Sequence, residues 1–175
     1  MIKNRYKFLP LLLLFFFNSL AATESFPSVF CGKMLDVQNG LVRNNVMIGI
    51  DQGSGKIRSV EFNNSKTDYD DIDTLNLSNY FCLPGLIDMH THISEDHYRE
   101  LVEYLTMTQQ EQIAIGRGNV QKTLLSGFTS VRDLGVYIAW TDKLLRDEIN
   151  AGLTNGPRMQ ISGFYLTIPG GGGDI

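Results

Sequence analysis

One short stretch of the chain combines residue types that could do chemistry together. Leu83-Pro84-Gly85-Leu86-Ile87-Asp88-Met89-His90-Thr91-His92 is an apolar run that ends in a His-x-His pair. In an extended strand residues two apart share a face, so Asp88, His90 and His92 are expected to look the same way and Thr91 the other. Two imidazoles on one face at the carboxyl end of a strand make a pincer for a divalent transition metal. That end of the strand is also where active sites sit in parallel α/β sheets and barrels. A bare His-x-His suits hydrogen-bonded or surface histidines as well; the apolar strand before it and the turn after it favour a metal. Asp88 is read as supporting a ligand or packing the sheet rather than reacting. The third histidine, His97, falls in a helical stretch and reads as a surface residue.

The elements that must hold these residues alternate after Pro84-Gly85. Leu86–His90 is a short strand, and Ser94 is the expected cap of a helix carrying Tyr98, Leu101, Val102 and Leu105, with Glu95 and Asp96 in its first turn. Ile113, Val120, Leu124 and Leu125 recur at helical spacing up to Gly127, and Phe128–Val131 is a second strand. Tyr137, Trp140, Leu144, Leu145 and Ile149 predict another helix, ending at Gly152, and Arg158–Ser162 a third strand. Such alternation implies a parallel sheet with crossover helices. Arg132 and Asp133, at the end of the second strand, either line the site or brace it as an ion pair; bracing is the expectation.

Before Pro84 the punctuation is that of short strands. Met34, Leu35 and Val37 lead into an Asn39-Gly40 turn, Val46, Ile48 and Ile50 alternate with Met47 and Gly49, and Asp51–Gly55 makes a second turn before Ile57 and Val60. Leu75 and Leu77 precede the apolar Tyr80–Leu83 stretch, and the whole predicts a small antiparallel sheet system. The acidic run Asp68–Asp73 lacks the glycine and the distal glutamate of a calcium loop, and is read as a solvated loop.

The 175 residues are 43% apolar and 19% charged, which excludes collagen-like repeats and a mainly disordered chain. Fifteen basic against 19 acidic residues give a net charge of −4, so no nucleic-acid partner is indicated. Lys3, Arg5 and Lys7, the apolar run Phe8–Phe17 and the small residues Ser19 and Ala21 form a signal peptide, with cleavage expected after Ala21. The apolar run is too short for a membrane span, which needs ~20 residues, so no stable membrane anchor is expected after cleavage. The protein is expected to be exported, periplasmic or secreted. In that oxidising setting Cys31 and Cys82 are free to bridge, although their apolar neighbours argue equally for buried thiols.

Several of these segments, taken in order, resemble one family. Leu83–His92 resembles the first barrel strand of the amidohydrolase superfamily of metal-dependent hydrolases. Gly127–Gly135 is similar to the family's second strand segment, Gly156-Pro157-Arg158 to the start of its third, and the glycine-rich end with Asp174 to the loop that follows it in the prolidase-like branch, related to imidazolonepropionase. The resemblance implies an α/β fold: the amino-terminal portion of a (β/α)8 TIM barrel in residues 85–175, preceded by part of a small β-sandwich domain in residues 22–84, after the signal peptide of residues 1–21. It implies a centre of one or two divalent metal ions, with zinc expected, and hydrolysis of amide bonds by a metal-activated hydroxide. The substrates implied are small, Xaa-Pro dipeptides or N-acyl amino acids. His90 and His92 match the first two metal ligands of the family. Its later ligands, a carbamylated Lys, two His and an Asp, have no counterpart within the 175 residues, and Gly172 stands where the branch often has a His. The expectation is therefore an amino-terminal part of such an enzyme, inactive by itself, whether as a truncated product or as an incomplete reading of a longer gene. The alternative is a non-enzymatic binding or interaction module.

Overall fold

The structure, a computed structural model, describes residues 27–63, 73–96, 98–171 and 173–174. The signal peptide, the acidic run up to Asp71 and Ile72, His97 and Gly172 lie outside these residues. Two compact units divide the chain, one ending at Cys82 and the next beginning at Leu83.

The first unit is a four-stranded sheet of β1 (Ser28–Asp36), β2 (Leu41–Asp51), β3 (Lys56–Glu61) and β4 (Thr74–Cys82), in the order β3-β2-β1-β4. The Asn39-Gly40 turn closes the β1–β2 hairpin with Gly40 at φ 65°, a conformation that a residue lacking Cβ adopts without strain. Both Asn39 N and Asn39 Nδ2 donate to the Asp36 carboxylate, which also pairs with Arg43 at 3.0 Å. At the β2–β3 turn Ser54 N and Ser54 Oγ donate to Asp51 Oδ1.

One feature departs from the antiparallel expectation. β4 runs parallel to β1, with Ser28 opposite Thr74 and Cys31 opposite Leu77. The residues between Glu61 and Thr74 are enough for the crossover that parallel neighbours require, and the hydrophobic pattern of β4 reports only its faces, not its direction. Cys31 and Cys82 are bridged, with Cα atoms 6.0 Å apart, so the question left open by their apolar neighbourhoods is answered by the β1–β4 pairing. Among the described residues this unit is one sheet.

In the second unit β5 (Leu86–Thr91), β6 (Phe128–Asp133) and β7 (Arg158–Gln160) form a parallel sheet in sequential order. α2 (Gln109–Leu125) joins β5 to β6 and α3 (Thr141–Asn150) joins β6 to β7, with α1 (Leu101–Thr106) a short turn of helix before α2. Val131 and Met159 on one face of the sheet meet Val120 of α2 and Leu145 of α3, closed over by Ile93, and this is the core. α2 begins at a capping box in which Thr108 and Glu111 satisfy each other's amides. Gly127, at φ 93°, ends the turn into β6.

The first helix starts later than the sequence suggests. Glu100, not Ser94, precedes it, in a capping box with Glu103. Ser94 is instead buried in the turn after β5, where Glu95 N bonds to His92 O, so the chain is still turning where the helix was expected. Tyr137 likewise lies ahead of α3, which begins after Trp140.

The bridge closes a long loop between β1 and β4, with a sequence separation of 51. Cys82→Ser is expected to lower the unfolding free energy of this unit by up to about 4 kcal/mol, the chain-entropy limit for such a loop. Urea unfolding with and without reductant measures it; reductant should destabilise the wild type and leave the variant unchanged.

Candidate metal-binding site at the strand ends

His90 is the penultimate residue of β5 and His92 follows its end. The β5–β6 register shifts between Asp88 and Thr91, so strict alternation is interrupted just where the histidines lie. The irregularity has a local partner: Asp88 Oδ1 accepts the His90 backbone N–H at 3.0 Å. Asp88 therefore turns back to its own strand, onto the backbone rather than the imidazole of His90. The two imidazoles come together, with ring centroids 5.4 Å apart and planes at 71°.

His92 is held from several sides. Its Nδ1 lies 3.1 Å from Gly135 O, in the segment after β6, and 3.1 Å from Tyr165 Oη, in the segment after β7. Tyr165 Oη donates to Glu95 Oε1 at 2.6 Å. Burial, with the Glu95 carboxylate beside it, raises the Tyr165 phenol above its ordinary value, so the hydroxyl keeps its proton. Tyr165 is in turn ringed by Tyr137, 5.7 Å away, which stacks on Tyr104 at 4.9 Å. Gly135 has φ 155°, and a Cβ there would lie 2.3 Å from the Tyr165 ring, so this approach requires glycine.

Around the histidine the backbone is tied down by Asp133, which is 1% exposed. Its carboxylate accepts Ile93 N–H at 2.6 Å and Gly135 N–H at 3.3 Å, and Leu134 N bonds to Thr91 O at 2.9 Å. From the helix layer, Asn119 Nδ2 donates to Ile93 O and Glu95 O. The expected Arg132–Asp133 ion pair does not form. Neighbours along a strand face opposite ways, so Asp133 turns toward the helices while Arg132 Nε reaches Met89 O at 2.9 Å. Bracing is Asp133's role, carried through backbone amides rather than through Arg132.

Both imidazoles line an open cleft of about 490 Å³, together with Glu95, Asp96, Asn119 and Lys122. Among the described residues no group of three or more His, Cys, Asp or Glu side chains is arranged to hold a metal ion. The imidazole pair suits zinc or a similar borderline cation, and a hydrolytic zinc centre takes at least three protein ligands plus water. These residues fit such a group as two of its donors. Glu95 and Tyr165 were not legible as partners of His92. Glu95 carried only the signal of a helix first turn, and Tyr165, 73 positions from His92, carried none.

A parallel α/β sheet bearing paired imidazoles where a strand ends is the arrangement of enzymes that build their sites beyond strand carboxyl termini. Residues 81–174, more than half of the chain, match the model of the Amidohydrolase family, and the chain belongs to that family. Solved structures similar to the chain include prolidases. A Xaa-Pro dipeptidase determined with methionine bound in its active site is 28% identical, with a TM-score of 0.70, over 84% of this chain and 35% of its own. A prolidase complexed with N-methylphosphonate-L-proline is 27% identical, also with a TM-score of 0.70, over 84% of this chain and 34% of its own. The chain thus spans about a third of the length of these relatives. A comparison with curated proteins finds no match.

Burial raises the Asp133 carboxyl from the ordinary value of 3.8 to about 6. The folded protein therefore binds a proton more tightly than the unfolded chain. The stability this carries is fully present below about pH 4 and is lost as pH rises through about 6, in all about 3 kcal/mol. Urea unfolding of the wild type and Asp133→Asn at pH 4 and pH 7 checks it; the variant should lack that component of the fall.

Proposed function

We propose that the chain supplies the amino-terminal strands of an exported, metal-dependent, prolidase-like amidohydrolase that cleaves amide bonds in Xaa-Pro dipeptides or N-acyl amino acids. The observation that carries this reading is the approach of His90 and His92 at the end of β5, with Nδ1 of His92 already engaged by Gly135 O. A carbonyl only accepts, so Nδ1 carries the proton and Nε2 keeps its lone pair for a metal. The bound metal, with zinc proposed, would polarise the scissile carbonyl and lower the pKa of its water. His90 and His92 would hold it, Asp133 and Asn119 would fix the backbone that carries His92, and the segments after β6 and β7 would orient the ring.

In this reading β5, β6 and β7 are the first three strands of a (β/α)8 barrel, and the sheet before them belongs to a small β-sandwich domain. Support comes from the face of the parallel sheet opposite the helices, where Ile87 is 62% and Met89 50% exposed beside Arg132 and Arg158. Parallel sheets are normally covered on both faces, and barrel strands turn this face inward. A free-standing binding module would leave these apolar side chains in water. The names of the relatives, an Xaa-Pro dipeptidase and a prolidase, support the substrate class. Two imidazoles are too few for hydrolysis, so residues 1–175 alone are proposed to bind metal weakly and to leave amides intact. The charged, apolar and small-residue sequence of residues 1–21 supports export, and the Cys31–Cys82 bridge suits an oxidising compartment.

The native product from the exported fraction tests this. Its intact mass should correspond to a chain beginning at Ala22. A product long enough to complete the ligand set should hydrolyse Xaa-Pro dipeptides, lose that activity to a chelator and regain it with zinc. His90→Ala and His92→Ala should each remove the metal. A full-length product that hydrolyses these dipeptides undiminished after chelation would exclude the metal-dependent reading.

A further inference from the structure

We propose that Tyr165 and Glu95 are positioning residues for His92, holding its imidazole with the proton on Nδ1 and the Nε2 lone pair free. The inference rests on the proposed role of His92 as a metal ligand and extends it to two residues on other segments of the chain. The geometry leaves one assignment of protons. Tyr165 Oη has a single hydrogen, and Glu95 Oε1, 2.6 Å away, is an acceptor, so that hydrogen goes to the carboxylate. Tyr165 Oη can then only accept from Nδ1 of His92, 3.1 Å away, and Gly135 O, also at 3.1 Å, asks the same of that nitrogen. The Nδ1–H is shared between a phenol oxygen and a carbonyl oxygen, both fixed by their own surroundings.

Glu95 acts through the phenol rather than directly, since its Oε1 is 3.8 Å from Nδ1. Three segments converge on one ring. Glu95 comes from the turn after β5, Gly135 from the segment after β6, and Tyr165 from the segment after β7. The Tyr165 ring is itself wedged between the His92 ring at 5.4 Å and Tyr137 at 5.7 Å, with the Cβ-free backbone of Gly135 against it. Such outer partners of a metal-binding histidine set its tautomer and orientation, and their loss typically weakens metal affinity 10- to 100-fold.

The test uses the 175-residue chain, labelled with 15N-histidine and free of metal. Long-range 1H–15N NMR is expected to show neutral His92 protonated on Nδ1 in the wild type. Tyr165→Phe, which keeps the ring against Tyr137, and Glu95→Gln should each admit the Nε2–H form. In cobalt(II) titrations both variants should bind about 10-fold more weakly than the wild type. The double variant should bind no more weakly than the weaker single, because both residues act through one phenol. His90→Ala, which removes none of these hydrogen bonds, should lose cobalt binding. An Nε2–H tautomer in the wild type, or two single variants with unchanged tautomer and cobalt affinity, overturns the positioning role while the ligand reading stands. Cobalt binding that survives both His90→Ala and His92→Ala overturns the ligand reading itself, and with it the reason to hold Nε2 free.

Discussion

The carboxylate of Asp133 sits at the end of β6, sealed from water, and accepts the amide of Ile93 at 2.6 Å. That contact fixes where the chain goes when it leaves β5. Thr91 is the last strand residue and Ile93 enters the core, so His92 is pinned on both sides and its ring has little choice of direction. A buried acceptor with two backbone donors is worth more inside a protein than at its surface, because neither partner has water to fall back on. The same group carries a cost, since burial opposes its ionisation. A core built to hold a strand end in place is what a site assembled from strand ends requires.

Around this anchor the site is built in layers of decreasing sequence proximity. Asp88 settles the backbone of His90 from two residues away. Asn119 reaches from α2 to the two carbonyls that flank Ser94. Gly135 and Tyr165 close on His92 from the next two strand ends. Each layer is a polar group satisfied by another, and the last of them meets at the imidazole of His92. The aromatic row Tyr104–Tyr137–Tyr165 gives the outer layer its stiffness through packed rings rather than through further hydrogen bonds.

Local chemistry made much of this legible. The Asn39-Gly40 turn, the strand of β2, the helix before Gly127 and the apolar run into His-x-His each concern residues a few positions apart, and each is present in the structure, although burial along β2 does not follow the alternation of its apolar residues. Where local reading failed, a competing tertiary contact was responsible. Ser94 has the side chain of a helix cap, yet the turn that His92 and Glu95 make at the end of β5 buries it before a helix can start. Arg132 and Asp133 have opposite charges and adjacent positions, yet the pleat sends them to opposite faces.

The sequence by itself determined the elements, the order in which strands and helices alternate, and the two imidazoles at a strand end, because periodicity and turn chemistry act over a few residues. Only the tertiary structure decided that β4 runs parallel to β1, that Cys31 meets Cys82, and that Glu95 and Tyr165 join His92. These partners are brought together by how strands pair and where their ends fall. A side-chain pattern reports the face a residue occupies, but carries no record of which distant segment will lie against it.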